Sequence, residues 1–235
     1  MPSDQHIASV FDRDLETIQA QIMKMGGLVE EAILEAAISL ETRDEERAEA
    51  VRKADKKIDA LEETINEEAA RVIALRAPIA VDLRLILSVI KISANLERIG
   101  DYAKNMAKRT GVLAQLSPVS DSAGALRRMA REVERMLKDA LDAYVNRDAE
   151  LAQDVIDRDM EVDQMYNALF REFLTFMMED PRNITACMHL HFIAKNVERM
   201  GDHVTSIAEQ TVYLVSGVHA DENRSKADTT SVQPL

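Results

Sequence analysis

The sequence predicts an all-α protein built of two similar three-helix bundles in tandem. Three observations lead to this fold class. The chain of 235 residues has only 7 Gly, 5 Pro and 4% aromatic residues, whereas Ala, Glu, Leu, Arg and Met, which favour helices, are abundant. Apolar residues recur with heptad spacing, and much of the first half of the chain is repeated in the second half. We therefore expect six long helices.

A regular heptad pattern begins at Val51. Its apolar residues at the two core positions are Val51, Ile58, Ile65 and Val72, and Ala54, Leu61 and Leu75. This pattern is typical of a long helix that packs lengthwise against other helices. Residues 4–40 and 81–116 are also helix-like, and breaks at "ETRDEE" and "RAPIAVD" separate the three segments. We expect residues 1–116 to form the first bundle.

The second half repeats the pattern of the first. The stretch "SPVSDSAG" (117–124) is rich in turn-forming residues and is predicted to be a linker. After it, "NRDAELAQDVIDRDMEVD" (146–163) resembles "TRDEERAEAVRKADKKID" (42–59), and "NVERMGDHV" (196–204) resembles "NLERIGDYA" (95–103). The second bundle is therefore predicted over residues 125–217. The polar segment 218–235 is predicted to be a disordered tail.

Composition excludes several classes of function. The net charge of −13 argues against nucleic acid binding, because phosphates repel such a surface. The single cysteine, Cys187, excludes an internal disulfide and a cysteine-based zinc site, and it suits a reducing cytoplasmic location. The N-terminus lacks a signal-peptide pattern, and no stretch approaches the ~20 apolar residues of a membrane span. We expect a soluble protein.

Two acidic pairs with i, i+4 spacing recur in each half. The carboxylates are Asp55, Asp59, Glu97 and Asp101 in the first half, and Asp159, Asp163, Glu198 and Asp202 in the second. Carboxylates at this spacing lie on one helix face and repel each other. One interpretation is a solvated acidic stripe. The other is that two pairs meet across neighbouring helices and are neutralised by a cation, which suits Mg²⁺, Mn²⁺, Ca²⁺ or iron.

The heptad register favours a cation site. Counting back by sevens from Glu97 reaches Ile90, and counting back from Asp101 reaches Leu87, so these acids continue an apolar face. A glycine, Gly100 or Gly201, precedes the last Asp of each set, although glycine inside a helix costs ~1 kcal/mol relative to alanine. Either an ion or a tightly packed helix therefore approaches closely at these positions.

Two further positions are weaker candidates for a role in the acidic sets. Glu62 would extend the first set, but its equivalent in the second half is Tyr166, so the two sites are expected to differ. His191 lies seven residues before Glu198 and is an additional ligand candidate. The residue types show no pairing of a nucleophile with its base and no glycine-rich phosphate loop.

Two segments carry a family resemblance. "ALRAPIAVDLRLILSVIKISANLERIGDYAKNMAKR" (74–109) and "DPRNITACMHLHFIAKNVERMGDHVTSIAE" (180–209) closely resemble the PhoU family of bacterial phosphate-uptake regulators, and the likeness spans roughly residues 5–217. The resemblance implies two three-helix bundles related by pseudo-twofold symmetry. It also implies a metal cluster in each half, held by the eight acids named above. The metal is left open among iron, manganese, magnesium and zinc.

The resemblance implies a regulator without enzymatic activity. Such a protein represses the phosphate-starvation response and phosphate uptake as an adaptor. Its partners would be the cytoplasmic ATPase subunit of the phosphate ABC transporter and a phosphate-sensing histidine kinase. It would be a cytoplasmic homodimer that reaches the membrane only through these partners.

Two other interpretations compete with the regulator. One is a carboxylate-bridged di-iron oxidase, although such sites usually contain Glu-x-x-His, and no Glu here is followed three residues later by His. The other is a metal-free helical scaffold.

Overall fold

Six long α-helices make up the part of the chain that the structure describes. The structure, a computed structural model, describes residues 2–79 and 81–218, without the side chains of residues 2–10 and 12. Within those ranges the helices are α1 (Pro2–Thr42), α2 (Glu45–Arg76), α3 (Val81–Ala114), α4 (Ser122–Asn146), α5 (Ala149–Glu179) and α6 (Ile184–Ser216). The predicted all-α fold of two three-helix bundles is confirmed. The predicted tail lies, beyond Val218, outside the described residues.

The first turn of each half has the same construction. Arg43 and Arg147 follow α1 and α4 with left-handed backbone angles, φ 56° and 53°. Each is followed by an aspartate that caps the next helix: Asp44 Oδ1 accepts a hydrogen bond from the Arg47 backbone N–H at 2.9 Å, and Asp148 Oδ1 accepts two at 3.0 Å. These caps satisfy N–H groups that the helix leaves unpaired, which explains the repeated Arg-Asp dipeptide.

The remaining connections use proline or a short turn. Ala77 ends α2 in the left-handed region, with φ 45°, and Pro78 follows. Pro181 begins a short 3₁₀ helix, Pro181–Asn183, that leads into α6. The helix α4 begins at Ser122, inside the stretch 117–124 predicted as a linker, because the Asp121 carbonyl already accepts a helical hydrogen bond from Ala125 N–H at 3.1 Å.

The core of α2 follows one of the two predicted heptad positions and not the other. Val51, Ile58, Ile65 and Val72 are all buried, as the spacing predicts. Leu75 was expected in the same core, but it is 66% exposed. Ala54 and Leu61 at the same heptad position are only partly buried, whereas Asp55 and Ala69, one position later, are buried, so the second row of core residues lies one residue further along α2.

The two halves pack against each other through α3 and α6 and through α1 and α4. Helices α3 and α6 are antiparallel, because Asn95 Oδ1 lies 2.7 Å from His203 Nδ1 while Arg109 Nη1 lies 3.2 Å from His189 Nδ1. Each acidic set lies within one half, between α2 and α3 or between α5 and α6. In the described part of the chain, no helix contains a stretch apolar and long enough to cross a bilayer.

Candidate metal sites

In the first half, a lysine joins two of the predicted carboxylates across two helices. Asp55 on α2 is only 4% exposed. Lys104 Nζ on α3 lies 2.5 Å from Asp55 Oδ2 and 2.8 Å from Asp101 Oδ1. The other oxygen of Asp55, Oδ1, is buried and has no hydrogen-bond partner among the described residues. Asp55 therefore presents a buried carboxylate that one ammonium satisfies only in part.

The other two acids of the first set, Asp59 and Glu97, have raised pKa values because they are desolvated and lie near the other carboxylates. Desolvation raises the pKa of Asp59, and the charges of Asp55, Asp101 and Glu62 raise it further. Desolvation also raises the pKa of Glu97, followed by the charges of Asp101, Glu62 and Asp59. These carboxylates therefore act as one cluster of like charge, and Glu62 belongs to it.

Glu97 and Asp101 lie on the edge of the packed face and not in its centre. Arg98 reaches both, with Nε 3.5 Å from Glu97 Oε2 and Nη1 3.7 Å from Asp101 Oδ2. Leu87, which shares the heptad register of Asp101, is 45% exposed. The prediction that Asp101 continues an apolar face was therefore wrong, because Leu87 and Ala94, at the same heptad position, are both exposed and this row lies beside the packed face of α3.

The two glycines mark close approaches between helices, as the sequence predicts. A Cβ on Gly100 would lie 3.0 Å from Ile58 Cδ1, 3.3 Å from Ile58 Cγ2 and 3.7 Å from Asp55 Oδ1. A Cβ on Gly201 would lie 3.0 Å from Asp159 Oδ1. In each half the glycine thus lets the buried aspartate of the neighbouring helix come close to the backbone.

The second set is more deeply buried than the first. Asp159, Asp163 and Glu198 are all buried, whereas Asp59, the equivalent of Asp163, is exposed. Tyr166 is buried at the position that Glu62 holds in the first half. Lys195 Nζ lies 2.8 Å from Glu198 Oε1 and 4.9 Å from the centre of the Tyr166 ring. The expected difference between the two sites is therefore one of burial as well as charge.

The candidate His191 lies among aromatic rings, and His203 lies between the two halves. The His191 ring is 6.0 Å from the Tyr166 ring and 5.3 Å from the Phe170 ring, centre to centre. Desolvation, followed by the charge of Lys195, lowers the pKa of His191, which keeps it neutral at pH 7. His203 Nδ1 contacts Asn95 Oδ1 in the other half. The assignment of His191 as an additional ligand stays a prediction.

Two lysines of the acidic sets were not predicted. Lys104 follows Asp101 by three residues, and Lys195 precedes Glu198 by three, so both pairs have the i, i+3 spacing of helix neighbours. That spacing was the available signal. It is common on exposed helices, however, and the contact from Lys104 to Asp55 depends on how α3 is rotated against α2.

The donor chemistry of the first set fits a cation. Its groups are hard carboxylate oxygens, the Oδ1 atom of buried Asp55 lacks a hydrogen-bond partner, and an ammonium already lies between Asp55 and Asp101. In this conformation no three Asp, Glu, His or Cys side chains within residues 2–79 and 81–218 form a group that would hold a metal ion. The eight-residue ligand assignment therefore stays a prediction.

Comparison with known proteins assigns the family. A family model described as "PhoU domain" matches residues 22–110 and, a second time, residues 126–211, so that each half of the chain carries one copy. The chain belongs to the PhoU family. The two matches cover most of α1–α3 and α4–α6, respectively, and both acidic sets fall inside them.

Full-length relatives and solved PhoU structures agree with this assignment. A protein of Caulobacter vibrioides named "Phosphate-specific transport system accessory protein PhoU homolog" is 43% identical over 97% of this chain and 99% of its own length. A Xylella fastidiosa protein of the same name is 44% identical over 97% and 94%. A crystal structure of PhoU from Pseudomonas aeruginosa gives a TM-score of 0.85 at 40% identity, with 88% of this chain and 100% of its own covered. A crystal structure of PhoU from Streptococcus pneumoniae gives a TM-score of 0.81 at 30% identity, with 90% of this chain and 99% of its own covered.

Proposed function

We propose that this protein is a negative regulator of the phosphate-starvation response and of phosphate uptake, without enzymatic activity of its own. It acts as a metal-binding adaptor between the high-affinity phosphate transporter, through the cytoplasmic ATPase subunit, and the sensor histidine kinase. It works in the cytoplasm as a homodimer. The observation that carries the proposal is the near full-length similarity to proteins named as accessory proteins of the phosphate-specific transport system.

The acidic sets would serve this adaptor as structural metal sites. In each half they would hold the ion through carboxylates of two helices, and the eight ligands are Asp55, Asp59, Glu97 and Asp101, and Asp159, Asp163, Glu198 and Asp202. A bound ion supplies positive charge that offsets the repulsion among these carboxylates. The protein's own part is to keep the aspartates of α2 and α5 buried against Gly100 and Gly201, where each carboxylate lies near the backbone of the neighbouring helix.

The charge of the protein suits contact with basic partner surfaces. Its net charge is −13, and acidic side chains are prominent along α2, which begins with Glu45 and Glu46. Complementary charge accelerates association and selects partners. Because salt screens exposed charges over about 10 Å at 0.1 M, we expect binding to the transporter ATPase subunit and to the kinase to weaken as salt increases.

The test is expression of phosphate-starvation genes in high phosphate. A strain without this protein should express those genes, and the wild-type gene returned on a plasmid should repress them again. A matched test returns the Glu97→Ala, Asp101→Ala variant, which removes two acids of the first set. Immunoblotting checks that the variant accumulates to the wild-type level.

Equal and full repression with and without the protein would contradict the regulator proposal. The di-iron oxidase alternative would then come first, and it has its own readout. Iron-loaded protein exposed to oxygen should show no oxidation intermediate by optical spectroscopy if the adaptor proposal is correct.

A further inference from the structure

Lys104 is an internal cation of the first acidic set. Its Nζ donates hydrogen bonds to Asp55 on α2 and to Asp101 on its own helix α3. These bonds raise its pKa, so the ammonium stays charged at neutral pH. The Lys104 side chain is 36% exposed, whereas the Asp55 side chain is 5% exposed. The lysine therefore reaches in from the surface and neutralises a carboxylate that water scarcely reaches.

We propose that the Lys104 ammonium occupies the first acidic set in place of a metal ion and competes with metal for Asp55 and Asp101. This inference rests on the proposed metal binding. A metal ion accepts electron pairs from the same oxygen atoms to which Lys104 donates hydrogen bonds, and two cations at that distance repel each other. Metal can use Asp55 Oδ2 and Asp101 Oδ1 only after the lysine moves away.

The unpartnered oxygen of Asp55 favours replacement of the lysine by a metal ion. Lys104 bonds to Oδ2 and leaves Oδ1 buried without a hydrogen bond. A buried acceptor without a partner is unfavourable. A metal ion that binds both oxygens of Asp55 would give Oδ1 a partner, which Lys104 does not. Metal at sufficient concentration therefore displaces the lysine.

The second half places its lysine differently. The equivalent of Lys104 is Thr205, whose buried hydroxyl donates to the Gly201 carbonyl at 2.9 Å, within its own helix. The equivalent of Lys195 is Ala94. The two lysines therefore do not hold equivalent positions: Lys104 bonds to carboxylates on α2 and α3, whereas Lys195 contacts Glu198 on α6 and lies over the Tyr166 ring of α5. Metal affinity at the first site should depend on Lys104 in a way that Thr205 does not reproduce in the second.

The experiment measures Mn²⁺ binding at the first site alone by isothermal titration calorimetry. The full chain carries Glu198→Ala and Asp202→Ala, which disable the second site. On this background we compare Lys104→Met with Lys104→Arg, which keeps the charge. Lys108→Met is the matched control, because Lys108 lies one turn further along α3, is exposed and carries the same charge. Lys104→Thr, the residue type of the second half, replaces Lys104→Met if the latter fails to fold.

We expect Lys104→Met to bind Mn²⁺ on the order of tenfold more tightly than the background, because two charge-assisted hydrogen bonds no longer have to break. Lys104→Arg and Lys108→Met should show little change. Measurable binding in Lys104→Met and none in the background would also support the proposal. An affinity in Lys104→Met that equals or falls below that of the background would overturn it.

A second readout uses the metal-free protein. In a chelator, Lys104→Met should lower the thermal midpoint more than Lys108→Met does, because it leaves the buried charge of Asp55 unpaired. If none of the variants takes up Mn²⁺, the metal assignment fails and the competition fails with it. Equal midpoints for the two methionine variants would, separately, overturn the role of Lys104 as the internal cation.

Discussion

Replacing Gly100 by alanine tests the close approach of α2 and α3 at the first acidic set. The added methyl would lie 3.0 Å from Cδ1 and 3.3 Å from Cγ2 of Ile58, which is 2% exposed. Cγ2 of Ile58 can move only if the χ1 angle rotates, and this rotation is restricted in a β-branched side chain. We therefore expect overpacking of about 1–3 kcal/mol, against which the gain in helix propensity is ~1 kcal/mol.

The matched control is Gly111→Ala on the same helix. Its added methyl meets only Glu45 Oε2, at 3.8 Å, so it should give the propensity gain alone. Because both variants share the propensity and unfolded-chain terms, their difference isolates the overpacking of about 1–3 kcal/mol. For a protein of this size, that corresponds to thermal midpoints about 2–12 °C apart.

The assay is thermal unfolding of the two variants and the wild type, followed by circular dichroism in a chelator. Gly111→Ala should melt above the wild type, and Gly100→Ala should melt at or below it. If Gly100→Ala stabilises the protein as much as Gly111→Ala does, Ile58 does not pack against Gly100 as described. The explanation of both glycines as points of close approach would then be refuted.

Three further predictions concern charge, capping and metal. The raised pKa values of Asp59 and Glu97 mean that the folded protein binds more protons, so their stabilising contribution is complete below the unfolded pKa and is lost as pH rises through the folded one. Urea unfolding in a chelator should therefore show that the wild type loses free energy of unfolding relative to the double variant Asp59→Asn, Glu97→Gln as pH rises from about 4 to 7. A difference in free energy that stays constant over this pH range would contradict the prediction. Asp148→Ala removes the cap of α5 and should cost about 1 kcal/mol by urea unfolding, whereas Asp148→Asn should retain most of the stability. Metal at 100 times its dissociation constant should add about 2.7 kcal/mol to the free energy of unfolding, and an unchanged thermal midpoint would count against binding to the folded state.

The fold was predictable because the helices are long and locally encoded. The heptad at Val51 and the repeated Arg-Asp turns specify where helices pack and where they begin. The same periodicity misplaced Leu75, since the second buried row of α2 runs through Asp55 and Ala69, one position after the predicted one. Sequence patterns predict helix faces more reliably than they predict how far those faces are covered.

The candidate site was predictable as a set of residues but not as an arrangement. The eight acids follow from duplication and spacing along single helices. The contact of Lys104 with Asp55 spans 49 residues and depends on the rotation of two helices about their axes. The unequal burial of Asp59 and Asp163 likewise follows from tertiary packing, in which Tyr166 is buried where the first half has Glu62.

Metal stoichiometry tests the central claim most directly. The samples are purified wild type, the double variants Glu97→Ala, Asp101→Ala and Glu198→Ala, Asp202→Ala, and the combined variant with all four substitutions. Each is loaded with manganese or iron and dialysed, and its metal content is measured by mass spectrometry. Circular dichroism confirms that each remains helical. We predict that each double variant loses the metal of its own half and keeps that of the other half, and that the combined variant retains none. An unchanged metal content in the double variants would contradict the claim that these carboxylates hold metal.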